Sequence, residues 1–279
     1  MNGFLLVNKE KGYSSNEVVQ KIKRKFSLKK VGHLGTLDPD AEGLLIIAIN
    51  RATKFSKFFL NTYKSYYVEI KLGKSTTTDD ASGEIIKEFE VKCSESEVKR
   101  EINNFLGKSF QQPPFFSALK YKGKPLYKYA RKGEFIKKEP RKIEIKEIKN
   151  ISYKDKICSF QILCSKGTYI RSIARDLGEN LGCCGHMYSL RRLSQHRFKV
   201  IDAHLIKEVT LEHVIKIDDC FKDYEKLSLS KKNLKIFING GRVFLNKNFS
   251  KDLRIYSEDN NFIGLGHLEN NHLKHKQLV

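Results

Sequence analysis

The sequence lacks several features that mark whole classes of protein. Its longest apolar run, over residues 44–49, is far shorter than the ~18 residues that a membrane-spanning helix needs. No basic leader followed by an apolar block opens the chain, so we expect no secretory signal. There is no Cys-x-x-Cys pair, and no Gly-x-Gly-x-x-Gly follows a predicted strand. A zinc ribbon and a dinucleotide-binding fold therefore have no support.

Acidic side chains are scarce relative to basic ones. The 279 residues include 53 Lys plus Arg against 32 Asp plus Glu, a formal net charge of +21, and 40% of the residues are hydrophobic. That apolar share is enough for a large core and excludes disorder. A basic surplus arises either from a Lys-rich composition without a particular patch or from a polyanionic partner. We favour nucleic acid, and we expect the six cysteines to be reduced thiols in a cytoplasmic protein.

Helix and strand patterns alternate irregularly along the chain. Capping boxes at Ser14–Glu17 and Ser94–Glu97 predict two helix starts. Neighbouring strands are close enough for hairpins, which favours an α+β fold with a mixed, mostly antiparallel sheet flanked by helices. The predicted strands cover 3–7, 44–49, 66–72, 141–153, 157–165 and 186–194, and the predicted helices cover 14–26, 51–60, 94–106 and 168–182.

The character of the chain changes near residue 225. The last part is rich in asparagine, has short strand patterns and carries Gly-Gly and Gly-x-Gly turns. We predict a larger domain over residues 1–225 and a small β-rich C-terminal module over 226–279. We also expect the larger domain to fold without the module.

A glycine-punctuated loop at residues 32–45 contains the first candidate for chemistry. Pro39 restrains Asp38 to extended conformations, and an apolar strand follows directly, so the Asp38 carboxylate is expected at the rim of a core. Asp-Pro is also a common turn pair, and His33 in the same loop is equally compatible with an ordinary loop histidine. The residues of this loop alone leave both interpretations open.

The second candidate stretch is residues 165–178, where Gly167-Thr168 precedes a predicted helix. Helix N-terminal amides favour anions, and Arg171 in the first turn offers a fork that suits a carboxylate or phosphate. The alternative is a surface arginine with a weak ion pair, and Tyr169 as an ordinary aromatic at the edge of the core.

Taken together, these stretches and others in the same order resemble the TruB family of RNA pseudouridine synthases, of the type that modifies bacterial tRNA. The resemblance covers nearly the whole chain and implies the pseudouridine synthase fold with a small C-terminal PUA-like RNA-binding module. The matching segments are 3–9, 12–16, 32–45, 52–55, 66, 76–83, 113–114, 117–120, 123–133, 166–178 and 190–193.

The resemblance implies isomerisation of uridine to pseudouridine at uridine 55, in the T loop of tRNA, without a metal or cofactor. It assigns three catalytic residues. Asp38 is the essential aspartate, acting either as a nucleophile on the sugar or as a base that removes a sugar proton. Arg171 pairs with it and keeps it charged, as a nearby cation should. Tyr66 stacks on the uracil and is the proposed base for the C5 proton.

Three further residues are implied to bind the substrate. His33 holds the RNA loop with its base flipped, Asp80 bonds in the active-site network, and Tyr169 packs beside the target nucleotide. Extruding the uridine costs a few kcal/mol, and single-stranded loops let aromatic side chains stack on splayed bases. We expect the basic face of the first helix and the Arg191-Arg192 pair to contact phosphates.

Alternative functions remain at this point. The first is a tRNA-folding chaperone in which catalysis is secondary, a role that would not need Asp38, Tyr66 and Arg171 together. The second is a guide-RNA-dependent relative of the dyskerin type, which the bacterial pattern of the loops disfavours. We therefore expect a monomer that acts on the T arm of tRNA, with no membrane and no obligatory protein partner. Cys183-Cys184-x-His186 is not interpreted as a metal site, because adjacent cysteines rarely bind one ion.

Overall fold

The computed structural model describes residues 1–247 and 249–279. Its strands are β1 (Gly3–Lys9), β2 (Val31–His33), β3 (Glu42–Ile49), β4 (Lys64–Leu72), β5 (Lys74–Thr76), β6 (Ile85–Glu88), β7 (Gly107–Gln111), β8 (Lys120–Tyr121), β9 (Lys124–Pro125), β10 (Arg141–Lys154), β11 (Ile157–Cys164), β12 (Gly185–Gln195), β13 (Phe198–Lys199), β14 (Ile215–Lys216), β15 (Glu225–Leu229), β16 (Val243–Phe244), β17 (Lys251–Ser257), β18 (Phe262–Glu269) and β19 (His272–Leu278). Its α-helices are α1 (Ser15–Lys25), α2 (Lys57–Leu60), α3 (Glu95–Asn103), α4 (Leu126–Ala130), α5 (Ile170–Asn180) and α6 (Lys231–Ile238).

A ten-stranded sheet organises the larger part of the molecule. Its order is β14-β1-β3-β12-β4-β11-β10-β7, with β2 paired to β3 and β13 paired to β12. All pairs are antiparallel except β3 with β12, which run parallel. The predicted α+β class and mostly antiparallel sheet are confirmed. The parallel pair brings the loop before β3 beside the end of β12, and this arrangement positions the site described below.

Both faces of the sheet are buried around β1 and β3. In β1, Phe4 and Leu6 point to one side, and Leu5 and Val7 point to the other. This two-sided burial explains why β3 is a continuous apolar run rather than an alternating pattern. Helices α1, α3 and α5 cover the face that contains Leu5. No helix within the described ranges is long and apolar enough to cross a membrane.

The predicted elements differ from the structure mainly at their ends. Both capping boxes are present and open α1 and α3. The helix predicted over 51–60 is divided into a 3₁₀ helix, Asn50–Phe55, and the short α2. The helix predicted from residue 168 begins at Ile170 because Thr168 and Tyr169 remain extended or in a turn. Helix α6, capped by Ser230, was not predicted, because the lysines around it obscure its apolar side.

The C-terminal residues form a separate five-stranded sheet but share a hydrophobic cluster with the ten-stranded one. The order of this second sheet is β15-β17-β18-β19-β16. Leu265 on β18 is completely buried in the cluster of Phe4, Phe55 and Phe221, and Phe262 and Val279 pack against the same cluster. Next to it, Arg254 Nη1 lies 3.1 Å from Asp218 Oδ1. The second sheet therefore covers part of the first.

A chain that ends at Tyr224 is expected to unfold at a lower urea concentration than the full chain. Truncation removes Leu265, and with it Phe262 and Val279, from the cluster that includes Phe55 and Phe221, and burying one such apolar side chain is worth about 1.5–3 kcal/mol. The truncated chain is still expected to fold, but with a lower stability. Urea unfolding followed by circular dichroism measures the midpoint. An unchanged midpoint would show that the two sheets are energetically independent.

Candidate active site

One cavity of about 810 Å³ brings the predicted site residues together. It lies where the loop before β3, strand β4, the start of α5 and the middle of β12 converge. All six side chains that the sequence singles out line it, namely His33, Asp38, Tyr66, Asp80, Tyr169 and Arg171. A second cavity of about 560 Å³ lies beside α1, against Tyr13, Lys21 and Arg24, and none of the six contributes to it.

Asp38 and Arg171 meet across this cavity although 133 positions separate them in the chain. Arg171 Nε lies 3.2 Å from Asp38 Oδ2, and Arg171 Nη2 donates to Asp38 Oδ1 at 3.4 Å. Two nitrogens of the guanidinium thus face both carboxylate oxygens, the geometry that distinguishes arginine from lysine. The Arg171 side chain is 9% exposed and that of Asp38 is 35% exposed. One edge of the carboxylate therefore remains open to a ligand.

Burial and the neighbouring charged groups shift the pKa of the Asp38 carboxyl in opposite directions. Burial at the floor of the cavity raises the pKa of the Asp38 carboxyl, and Arg171 opposes that rise. The nearby Asp80 carboxylate raises the same pKa, whereas Lys9 lowers it. Arg171 is the largest influence that keeps Asp38 ionised, because a nearby cation favours the charged form.

Buried polar side chains hold the main chain of the Asp38 loop. Lys9 is completely buried, and its Nζ donates to Pro39 O at 2.9 Å and to Tyr13 O at 2.7 Å. Burial lowers the pKa of Lys9 to about 8, opposed by the Asp40 and Asp38 carboxylates. On the other side of Asp38, Ser15 Oγ both accepts from Leu37 N at 2.8 Å and donates to Leu37 O at 2.9 Å.

Arg192 is the second buried cation under the loop, and it is only 1% exposed. It donates to Gly35 O at 3.1 Å, Thr36 O at 2.8 Å and Leu44 O at 3.2 Å. The expectation that Arg192 contacts phosphates is wrong, because its side chain is buried and its guanidinium donates to main-chain carbonyls of the protein. Its neighbour Arg191 is half-buried and reaches Asn8 Oδ1 at 3.5 Å.

Tyr66 lies on the central strand β4, where it pairs with Arg192 of the neighbouring strand β12. Its side chain is almost completely buried, and the centre of its ring is 5.7 Å from the Arg192 guanidinium carbon. Burial raises the pKa of the Tyr66 phenol, and the positive charge of Arg192 opposes that rise. The ring thus forms one wall of the cavity with a cation beside it.

Asp80 is held by its own turn and by Arg171. Its Oδ1 accepts from Thr78 Oγ1 at 2.6 Å and from Ser82 N at 3.0 Å and Oγ at 2.6 Å. Its Oδ2 lies 3.7 Å from Arg171 Nη1. Arg171 therefore bridges two carboxylates, those of Asp38 and Asp80, in one network.

His33 and Tyr169 also line the cavity. His33 ends β2, and its Nδ1 accepts from Gly35 N at 3.4 Å. Burial lowers the pKa of His33, and the Arg192 charge adds to that effect. Tyr169 precedes α5, and its main chain is clamped by Gln111, whose side chain accepts from Tyr169 N at 2.8 Å and donates to Tyr169 O at 3.0 Å.

Three family models match successive parts of this chain. Residues 23–170 match the N-terminal domain of the TruB family pseudouridylate synthases. Residues 171–230 match the tRNA pseudouridylate synthase B C-terminal domain, and residues 226–279 match the model "Pseudouridine synthase II TruB, C-terminal". The first of these matches alone covers more than half of the chain.

The chain belongs to the TruB family.

Full-length relatives agree with this assignment. The chain is 39% identical over 288 residues to the tRNA pseudouridine synthase B of Clostridium novyi (strain NT), with complete coverage of both chains. It is 38% identical to that of Aquifex aeolicus (strain VF5), again with complete coverage. A solved archaeal box H/ACA sRNP Nop10-Cbf5 complex gives a TM-score of 0.70 at 18% identity, covering 99% of this chain and 85% of that one. That likeness shows the fold. As a TruB-family pseudouridine synthase, the protein is an isomerase that converts uridine to pseudouridine.

Sequence reasoning missed the side chains that anchor the Asp38 loop. Lys9, Ser15 and Arg192 were each seen in a motif or a cap, but none was predicted to bind the loop. The alternation of side chains along β12 could have indicated that Arg192 is buried, because Leu190 and Arg192 are two positions apart and lie on one side of the strand. Gln111 offered no comparable signal. A pair of glutamines before two prolines does not reveal that one of them clamps a main chain.

Replacing Arg171 by lysine in this TruB-family protein is expected to lower the single-turnover rate about 10- to 100-fold while RNA affinity changes much less. Lysine keeps the charge but loses the two-point contact that aims Asp38. Quench-flow measurement of pseudouridine at saturating enzyme gives the rate, and filter binding gives the affinity. A normal rate would show that Arg171 does not orient Asp38.

Arg171→Gln serves as the companion variant because it also removes the positive charge. Since Arg171 opposes the raised pKa of Asp38, Asp38 in this variant should be protonated at a higher pH than in the wild type. An aspartate whose pKa is raised loses its charge as pH falls through that pKa. The rate of Arg171→Gln is thus expected to begin falling at a higher pH than that of Arg171→Lys.

Proposed function

We propose that the protein isomerises uridine 55 in the T loop of tRNA, with Asp38 as the essential carboxylate. The observation that carries this proposal is the Asp38–Arg171 pair at the floor of a cavity that also contains Tyr66. A volume of about 810 Å³ falls in the usual range for small-ligand sites and suits one flipped nucleotide with its neighbours. A uridine in a stacked loop must leave the stack before its glycosidic bond can be rearranged.

The proposed reaction breaks the bond between uracil N1 and the sugar and joins uracil C5 to the same sugar carbon. Asp38 either attacks the sugar or removes a sugar proton. The exposed edge of its carboxylate is compatible with either role. Uracil N1 leaves with the electron pair of the broken bond and takes up a proton from solvent. The C5 proton is lost after the new bond forms, and we assign its removal to Tyr66. We assign substrate contacts to His33, Asp80 and Tyr169 on the surrounding walls.

The proposed setting is the cytoplasm, and the proposed partner is the T arm of tRNA, bound by a monomer with no obligatory protein partner. The net charge of +21 supports an RNA ligand, because basic surfaces gain affinity by releasing counterions from phosphates. We propose that residues 1–225 form the catalytic domain. Residues 226–279 then form an RNA-binding module that adds contacts outside the T loop.

Release of the C5 hydrogen tests this function directly. A T-arm hairpin that contains [5-³H]uridine is incubated with the purified protein, and tritium in the solvent is counted. We expect one equivalent per hairpin, and none from a hairpin with cytidine at position 55. Release that persists without uridine 55 would place the reaction elsewhere. Tight binding without any release would favour the tRNA-folding chaperone instead.

A further inference from the structure

A second ion pair lies one helical turn behind the Arg171 network. Arg171 and Arg175 are four positions apart on α5, so they share one side of the helix. The turn after β5 presents Asp79 and Asp80 next to each other. Arg175 Nη1 lies 3.4 Å from Asp79 Oδ2, and Arg171 Nη1 lies 3.7 Å from Asp80 Oδ2. Two neighbouring ion pairs therefore join the helix to the turn.

Arg175 also reaches a third part of the chain. Its Nη2 donates to Gln112 O at 3.3 Å, and Ser172 Oγ donates to the same carbonyl at 2.8 Å. Its Nε and Nη2 donate to Asp176 Oδ1 at 2.9 and 2.7 Å. Gln112 begins the segment between β7 and β8 that supplies residues 116–118 to the cavity wall. One guanidinium thus connects α5, the Asp80 turn and that segment.

Neither Arg175 nor Asp79 lines the cavity. Their side chains are only 22% and 19% exposed, so they can influence the reaction only through other residues. Asp79 has φ of +60°, a conformation that few non-glycine residues adopt. Its backbone is held independently, because Met187 N donates to Asp79 O at 3.0 Å. The main chain of the turn therefore has a support that does not depend on the Asp79 carboxylate.

The contact between Arg171 and Asp80 is long enough to depend on its surroundings. At 3.7 Å it exceeds a normal hydrogen bond, and the same nitrogen of Arg171 also donates to Thr78 O at 3.4 Å. A small rotation of α5 relative to the turn would weaken both contacts. It would also change the angle at which Arg171 meets Asp38. The second ion pair restrains this rotation.

We propose that Arg175 and Asp79 form a positioning pair that keeps Asp80 and Arg171 aligned on Asp38, so that the pair supports turnover and not RNA affinity. This inference rests on the proposed function, because its effect is measured as pseudouridine formation. The pair acts at a distance from the reacting atoms, and small misplacements of catalytic groups cost up to about 100-fold in rate.

The charges around Asp79 give the pair a pH signature. Burial raises the pKa of Asp79 to about 6, and Arg175 and then Arg171 oppose that rise. The carboxylates of Asp176 and Asp80, the other charged groups that face it, raise the pKa further. Asp79 therefore loses its charge as pH falls through about 6, and the ion pair to Arg175 is lost with it.

A double-mutant cycle tests the pair. Asp79→Asn, Arg175→Gln and the double variant are compared with the wild type by single-turnover pseudouridine formation on the T-arm hairpin at pH 7.5. Asp176→Asn is the matched control, since it removes the other carboxylate on Arg175 without touching the turn. We expect each single variant to be about 10- to 100-fold slower, the double variant to be no slower than the slower single, and the control to keep the wild-type rate. Hairpin affinity should stay within about twofold.

A purely structural role would not reproduce the pH dependence. Below about pH 6 the wild type also loses the Asp79 charge, so the rate ratio of wild type to Asp79→Asn should shrink towards one. The inference is overturned if Asp79→Asn keeps the wild-type rate, if the two single effects multiply in the double variant, or if Asp176→Asn is equally slow. Should Arg175→Gln not fold, the comparison of Asp79→Asn with Asp176→Asn decides alone. A wild-type protein that forms no pseudouridine would instead refute the proposed function.

Discussion

Asp38→Asn is expected to lower the rate of pseudouridine formation by more than about 1,000-fold, which corresponds to about 4 kcal/mol in the activation barrier. The amide keeps the shape of the side chain but carries no negative charge. It can therefore neither attack the sugar as a carboxylate nor remove a proton from it. Single-turnover kinetics at saturating enzyme measures the loss. RNA affinity should change only a few fold, because phosphate and loop contacts supply most of it.

A neighbouring carboxylate provides the control for this experiment. Asp40 lies two positions further along the same loop and is exposed. Asp40→Asn removes the same charge from the same loop and should slow the reaction by less than about threefold, consistent with the small effects of exposed substitutions. A loss well below about 1,000-fold in pure Asp38→Asn protein, or equal losses in the two variants, would contradict the role assigned to Asp38.

Arg192→Met is expected to reduce the free energy of unfolding by about 3–5 kcal/mol and to remove most of the activity. The substitution removes the donor to the buried carbonyl of Leu44 and to the partly buried carbonyls of Gly35 and Thr36, and a buried group left unsatisfied costs about 1–3 kcal/mol. It also frees the loop that carries Asp38. Urea unfolding gives the stability from the midpoint and slope, and the tritium-release assay gives the activity.

Arg191→Met is the matched control for the Arg192 experiment. Arg191 precedes Arg192 on β12 but is half-buried, with one contact of 3.5 Å to Asn8. Its replacement should change the free energy of unfolding by less than about 1 kcal/mol. A wild-type midpoint for Arg192→Met would mean that water or another group satisfies the three carbonyls, and that Arg192 is not the anchor of the loop.

The individual helices and strands could be predicted from the sequence more readily than the order of the strands or the contacts between distant residues. Capping boxes and two-residue alternation predicted α1, α3, β4 and β11, because these signals are local. The placement of β12 between β3 and β4 depends on contacts between distant parts of the chain, and no local pattern reports it. The meeting of Asp38 with Arg171 was implied by family resemblance alone.

Arg192 shows why residue type misleads at such positions. An arginine on a strand normally indicates a solvated or phosphate-binding face, and the pair Arg191-Arg192 was interpreted in this way. Residue type does not distinguish the two; only the alternation with Leu190 places Arg192 on the buried side of β12. The same holds for Lys9, which ends an apolar strand and becomes buried only because the Asp38 loop closes over it.

The cluster that contains Phe4 and Leu265 has a consequence for synthesis of the protein. About 260 residues separate these two side chains. Ribosomes add roughly 5–20 residues per second, so Phe4 is synthesised roughly 13–50 s before Leu265, which belongs to the same cluster. During that interval the part of the cluster that Leu265, Phe262 and Val279 complete is open to water and to other apolar chains. The newly made polypeptide should therefore be more prone to aggregation, and more dependent on chaperones, before Leu265 leaves the ribosome than after.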